Sequence, residues 1–267
     1  MAELATDADG IRLTIEDGVA RITLNRPDAG NAIDLPLARA LLATAIRCEN
    51  DAAVRCILLT GEGRLFCAGG DVKLLSGAGP ERPAVLSELI ATLHAAVQRL
   101  MRAPKPLVTL VNGPAAGAGF SLAVLGDLVL AGRSAHFTGA YGAIGLTADG
   151  GLSWLLPRLV GLRRAQDIVL TNRRVSADEA QAIGLVTRTV DDDALAEEGM
   201  ALARQLADGP TQALASARAL LQDSLETGFE IQLDRELRSM IAAGAGPESE
   251  EGLSALLARR KPEFRRK

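Results

Sequence analysis

Three glycines stand within seven residues, Gly113, Gly117 and Gly119, directly behind the apolar run Leu107–Val111 and ahead of a second apolar segment too short to cross a membrane. A strand, a small-residue turn and a helix start are what this pattern builds. A helix start leaves amide N–H groups unpaired where the helix dipole also favours negative charge. That is half of a site for an anion or a developing oxyanion. The other half has a candidate in GEGRLFCAGGDV, residues 61–72, which follows the short apolar run at residues 56–60 and crowds small residues ahead of Asp71.

Composition narrows what surrounds these loops. A chain of 267 residues with 48% apolar side chains can bury a full core, and with only 3% aromatics that core is aliphatic. A net charge of −4 supplies no basic face for nucleic acid. The first ten residues, MAELATDADG, carry no signal-peptide pattern, and no run reaches the length of a membrane span. The expectation is a cytoplasmic protein with no nucleic-acid or membrane partner. Cys48, Cys56 and Cys67 lack CxxC spacing and sit in apolar surroundings, as reduced thiols do. With only His94 and His136 present, a metal site is not expected and a Ser-His-Asp arrangement is disfavoured. Both histidines fall in patterns that packing explains.

Along the chain, residues 11–16 and 19–25 alternate around Asp17-Gly18 and predict a β-hairpin. Asp34 is placed to cap a helix over residues 35–49, residues 55–60 read as a buried strand, and Asp71 as the cap of a short helix. Residues 76–83, SGAGPERP, read as a mobile loop ahead of an amphipathic helix over 84–101. Further strands are expected at 107–111, 127–132, 135–137 and 185–190, with helices at 151–159, 163–170 and 177–183. From residue 194 only helical patterns follow, broken at Gly209-Pro210, Thr227-Gly228 and Gly246-Pro247. The chain therefore divides into an α/β part, residues 1–195, and a helical region, residues 196–267, suited to subunit contacts.

Five colinear blocks, LNRPDAGNAID from Leu24, VRCILLTGEGRLFCAGGDV from Val54, KPLVTLVNGPAAGAGFSLAVLGDLVLA from Lys105, RLVGLRRAQDIVLTNRRVSADEAQAIGLV from Arg158 and EGLSALLARRKPEF from Glu251, resemble the crotonase family of enoyl-CoA hydratases and isomerases. The resemblance implies a ClpP-like spiral of ββα units with a C-terminal helical oligomerisation region, assembled as homotrimers or hexamers. It also implies an acyl-CoA thioester substrate, with coenzyme A part of the substrate and no separate cofactor. The thioester oxygen would sit between the backbone N–H groups of Gly70 and Ala118. Glycine is common in the family where Ala118 stands; the N–H survives that change. Preorganised donors of this kind stabilise an enolate oxygen by about 3 to 4 kcal/mol each. Ala68, Asp71, Ser121 and Tyr141 are candidate substrate contacts, and Arg26, Lys261 and Phe264 candidate contacts to the coenzyme A moiety, the last two from the basic tail RRKPEFRRK.

Hydratases of the family use two glutamates to activate water, and at the matching positions this chain has Ser121 and Tyr141. Neither is a carboxylate, so hydration is disfavoured. What remains is Asp149 in GLTADGG, which resembles the segment carrying the acid/base aspartate of the isomerases that act on the ring epoxide of phenylacetyl-CoA breakdown. An aspartate among Ile144, Leu146, Leu152 and Trp154 would be partly desolvated, which strengthens it as a base. The favoured reading is an isomerase of an unsaturated or ring-epoxide CoA thioester in fatty acid metabolism or phenylacetate degradation. Alternatives are a hydratase-like enzyme, a hydrolytic aryl-CoA dehalogenase with Asp149 as nucleophile, and a non-catalytic acyl-CoA-binding member. Taken apart from the family, Asp-Gly-Gly is an ordinary turn, Ser121 a helix residue, Tyr141 a lid or a packing residue, and Cys67 a buried thiol.

Overall fold

A computed structural model describes residues 4–265. At its edge, Asp17 and Gly18 both take positive φ, at 49° and 77°, the turn that matches strand twist. They join β2 (Ile11–Glu16) to β3 (Val19–Leu24) in antiparallel register. Asp9-Gly10 makes the same turn and adds β1 (Leu4–Ala8), a strand not expected from the sequence. Beyond β3 the sheet is parallel: β4 (Cys56–Gly61), β5 (Leu107–Val111), β7 (Leu128–Gly132) and β10 (Arg188–Val190) follow in that order.

Each crossover between these strands carries a short extended piece and a helix. α1 (Leu35–Asn50), capped by the Asp34 carboxylate on Leu37 N–H, leads from β3 to β4. α2 (Val72–Gly77) and α3 (Arg82–Arg102) lead to β5. β6 (Ala115–Ala116) and α4 (Ala118–Ala123) lead to β7. The last crossover holds β8 (His136–Thr138), α5 (Leu152–Val160), α6 (Leu162–Leu170), β9 (Arg174–Ser176) and α7 (Ala177–Ala182). The short pieces join turn to turn: Ile33 bridges Gly70, Cys67 bridges Ala115, and β6, β8 and β9 form a second sheet. A main strand, a short strand and a helix per turn, stacked on the next turn, make the ββα spiral.

Period-two alternation buries both faces of the parallel strands. Ile57 and Leu59 of β4 face α1 and α3, while Cys56 and Leu58 face α8 (Leu195–Asp208) through Leu195, Ala203 and Ala207. Gly199 lets α8 lie directly on β5, since a Cβ there would stand 2.3 Å from Leu110 Cδ2. The helical region expected from residue 196 thus begins inside the helix that covers the sheet. α9 (Thr211–Asp223), α10 (Phe229–Gly244) and α11 (Pro247–Leu257) extend beyond it.

Two expectations need correction. Residues 76–83 are not a loop: Ala78 N–H closes α2 on Leu74, a single 3₁₀ turn spans Gly79–Glu81, and α3 starts at once. Pro80 and Pro83 fall in first helical turns, where a missing N–H costs nothing. The strand at 185–190 shortens to Arg188–Val190, because the N–H groups of Leu185 and Val186 close α7 on the Ala180 carbonyl.

Candidate active site

The bridges between spiral turns bring three segments to one side of α3: the loop before α2, the turn before α4, and residues 140–151. Between them lies a cavity of about 400 Å³. Leu86, Leu89, Ile90 and Leu93 of α3 form one wall, and Ile144 and Leu146 face them. Asp149 is the single carboxylate lining it among the described residues.

Two amide groups on this lining have no acceptor among the described residues. In the bridge to Ile33, Gly69 C=O accepts from Ile33 N–H at 2.8 Å and Asp71 N–H donates to Ile33 C=O at 2.9 Å. Alternation along an extended chain then turns the N–H of Gly70 away from that pairing, on the side where Gly70 lines the cavity. Ala118 is the first residue of α4, and its N–H is one of the helix's orphan donors. The glycine requirement falls on its neighbours. Gly117 has φ 53° and ψ −128°, and a Cβ on Gly119 would stand 2.2 Å from the Cys67 carbonyl oxygen. Ala118 itself does not take positive φ, so a methyl group fits there.

Asp149 is held from several directions. The Tyr141 hydroxyl donates to its Oδ1 at 2.6 Å, and the Ser121 hydroxyl donates to its main-chain oxygen at 2.9 Å, with 3.1 Å between the two hydroxyls. One peptide on, Gly150 N–H donates to Nε2 of His94 at 3.0 Å. Gly150 has φ 58°, and a Cβ there would stand 2.8 Å from Ser121 Cβ, so the segment tolerates no side chain at this point. Burial, then the Asp149 charge and its hydrogen bond, pushes the Tyr141 phenol well above its ordinary range. The phenol is thereby held protonated, as the donor in this bond.

The fold and this lining agree with comparisons to known proteins. The sequence profile described as Enoyl-CoA hydratase/isomerase matches residues 14–267. The chain belongs to the enoyl-CoA hydratase/isomerase family. It is 39% identical over 252 residues to the 1,2-epoxyphenylacetyl-CoA isomerase of Escherichia coli K12, covering 94% of this chain and 96% of that one. It is 34% identical to 4-chlorobenzoyl coenzyme A dehalogenase-2 of an Arthrobacter species, covering 89% and 87%. Among solved structures, an enoyl-CoA hydratase from Polaromonas sp. JS666 superposes with a TM-score of 0.92 at 32% identity, covering 96% and 99%.

Within this family member the expected site residues separate. Gly70, Ala118, Ala68, Tyr141 and Asp149 share the cavity. Asp71 does not line it: its carboxylate caps α2 on the N–H groups of Lys73 and Leu74. Ser121 is fully buried behind Asp149 rather than facing the cavity, because α4 is covered on every side. Arg26 is drawn to Asp34 at 2.8 Å, to Asp71 at 3.7 Å and to the Ala32 carbonyl, away from the lining. Lys261 is exposed, and Phe264 packs near Gly252 beside a cleft with Pro210 and Met240. Neither lines this chain's cavity, and the tail's Arg266 and Lys267 lie outside the described residues. Leu152 and Trp154 do not surround the Asp149 carboxylate either. Leu152 points into the core, and Trp154 lines a separate groove, its indole N–H on Glu226 and its ring under Arg158.

The His94 contact and the phenol–carboxylate bond were not expected from the sequence. A histidine in an amphipathic helix and a tyrosine in a glycine-rich turn give no signal of a partner 56 or 8 residues away. Cys67 is fully buried, and burial pushes its thiol up to about 12, so it is no nucleophile.

Proposed function

We propose that this chain is an acyl-CoA isomerase that acts through an enolate, with Asp149 as the acid/base. The observation that carries the reading is one carboxylate facing a mostly apolar cavity that also presents two amides free to donate. In the proposal, the N–H groups of Gly70 and Ala118 hold the thioester oxygen. Asp149 takes a proton from the carbon next to the thioester carbonyl, the C–H electron pair moves into the enolate, and the negative charge collects on oxygen. The same proton is returned two carbons along, shifting the double bond and restoring the carboxylate, with no oxidant and no cofactor beyond the substrate's own coenzyme A. A positioned base contributes roughly 10²- to 10⁴-fold and the oxyanion donors supply the larger remaining share. The ring-epoxide name of the Escherichia coli relative extends the substrate class to aryl epoxide thioesters.

A hydratase needs a second carboxylate, and the buried Ser121, committed to the Asp149 main chain, supplies none. The dehalogenase relatives favour a second reading, in which Asp149 attacks an aryl carbon and chloride leaves. The test offers 3-enoyl, 2-enoyl, aryl-epoxide and 4-chlorobenzoyl thioesters to wild type and Asp149→Asn. Loss of 3-enoyl or epoxide turnover by at least about 10²-fold, with thioester affinity retained, is expected. A variant that keeps its rate removes the proposal. Single turnover in ¹⁸O-water that labels Asp149 replaces it with the nucleophilic reading.

The working assembly is proposed to be a homotrimer or a pair of trimers. Leu221, Phe229, Met240 and Leu257 of α9, α10 and α11 are each at least 72% exposed in the single chain, which favours burial against further copies.

A further inference from the structure

An aspartate that both takes a proton and gives it back must present one oxygen to the substrate and hold it there. We infer that Tyr141 is a positioning residue that commits Oδ1 of Asp149 to the protein and leaves Oδ2 as the one oxygen that exchanges protons with substrate. The inference rests on the reading of Asp149 as acid/base and adds a second residue to it.

Three elements converge on this aspartate. Tyr141 comes from the turn before Gly145, Ser121 from α4 and His94 from α3. The peptide between Asp149 and Gly150 is fixed at both ends, its carbonyl by the Ser121 hydroxyl and its N–H by His94 Nε2. With the main chain fixed, the remaining freedom is rotation about the two side-chain torsions, and the 2.6 Å bond from Tyr141 to Oδ1 restricts both. Hydrogen bonds to an ionised acceptor are the short, strong ones. The phenol is itself buried, 8% exposed. Two hydroxyl protons serve the contacts to Asp149, one on Oδ1 and one on its main-chain oxygen, so neither is left to reach Oδ2. Tyr141 meets the carboxyl group, while Ser121 and His94 meet the peptide that follows it; among the described residues the lining holds no ionisable side chain besides Asp149 and Tyr141.

The consequence is a base whose proton stays available for return. With Oδ1 committed to the Tyr141 hydroxyl, a proton taken from the substrate resides on Oδ2. Fixing the carboxyl group also keeps Oδ2 from rotating out to exchange that proton with water.

Tyr141→Phe keeps the ring and removes the donor. Expected on a 3-enoyl thioester is a kcat lower by roughly 10- to 100-fold with KM within about threefold. Less of a deuterium label at the substrate's second carbon should reappear at the fourth. Ser121→Ala, which removes the donor on the Asp149 main-chain oxygen and loosens the peptide that carries the carboxyl group, should show the same changes at smaller size. If the phenylalanine variant fails to fold by circular dichroism, Tyr141→Met, which also fills the position without a donor, carries the same comparison. Wild-type kcat and label transfer in the folded Tyr141 variant would overturn the assignment of Tyr141. Should Asp149→Asn stay active, it is the acid/base reading that fails; should it be inactive while Tyr141→Phe is unchanged, only the positioning role fails.

Discussion

Cys67 touches the site without taking part in it. Its Sγ lies 3.1 Å from the Asn31 carbonyl and 3.4 Å from Gly69 N, and its own carbonyl is what excludes a side chain at residue 119. Burial pushes this thiol and that of Cys56 up to about 12, and that of Cys48 up to about 11. The folded chain therefore keeps these protons at pH values where the unfolded chain loses them. Their contribution to stability is whole below about pH 9 and falls as pH rises toward 11 and 12, by about 1.4 kcal/mol per pH unit for each thiol. Urea midpoints should accordingly decline between pH 9 and 10.5, less steeply in Cys67→Ala. A thiol-specific disulfide reagent should find no fast-reacting group in the folded protein at pH 8; a burst equal to one thiol would contradict the burial. At this scale the sequence was partly legible. Asp149, Gly70, Ala118 and Tyr141 could be singled out because the blocks around them resemble a known family, whereas the bonds that Tyr141 and His94 make to the Asp149 segment join partners that only folding brings together.

Among the elements, α9 depends on one side chain. Arg218, 8% exposed, pairs with Asp127 at 2.5 Å and donates to the carbonyls of Leu100 and Ala103 at the end of α3. Asp127 also receives Leu107 N–H, so the start of β5, the end of α3 and the first C-terminal helix past the sheet meet at a single ion pair. Removing one partner strands the other charge. Arg218→Met should cost about 3 to 5 kcal/mol, read as a lower urea midpoint, while Arg133→Met, whose partners are exposed, should change little. An unchanged midpoint for Arg218→Met would show that the pair holds nothing together. Most helices and strands were legible from periodicity and caps, since Asp34, Asp71 and Ser176 each take the capping bond their position predicts. The failures have local causes. Asp9-Gly10 carries the same turn signal as Asp17-Gly18, and residues 76–83 have loop composition while their prolines occupy permissive helical turns.

For the whole molecule, a solitary chain leaves Phe229, Met240 and Leu257 in water, and equilibrium sedimentation should give three or six times 27.9 kDa. Met240→Glu should dissociate that assembly, and a wild-type chain sedimenting as a monomer would dismiss it. The residues alone determined the order of strands and helices, the aliphatic two-faced sheet and the loops rich in small residues, because periodicity, capping and glycine are properties of neighbours along the chain. Only the tertiary structure decided which faces of those loops meet. The bridges from Ile33 to Gly70 and from Cys67 to Ala115 put two amides on one cavity, and contacts from α3 and α4 hold the main chain of Asp149 on the same lining. Such pairings join residues tens of positions apart, and their geometry is set by the stacking of the spiral's turns rather than by any local preference.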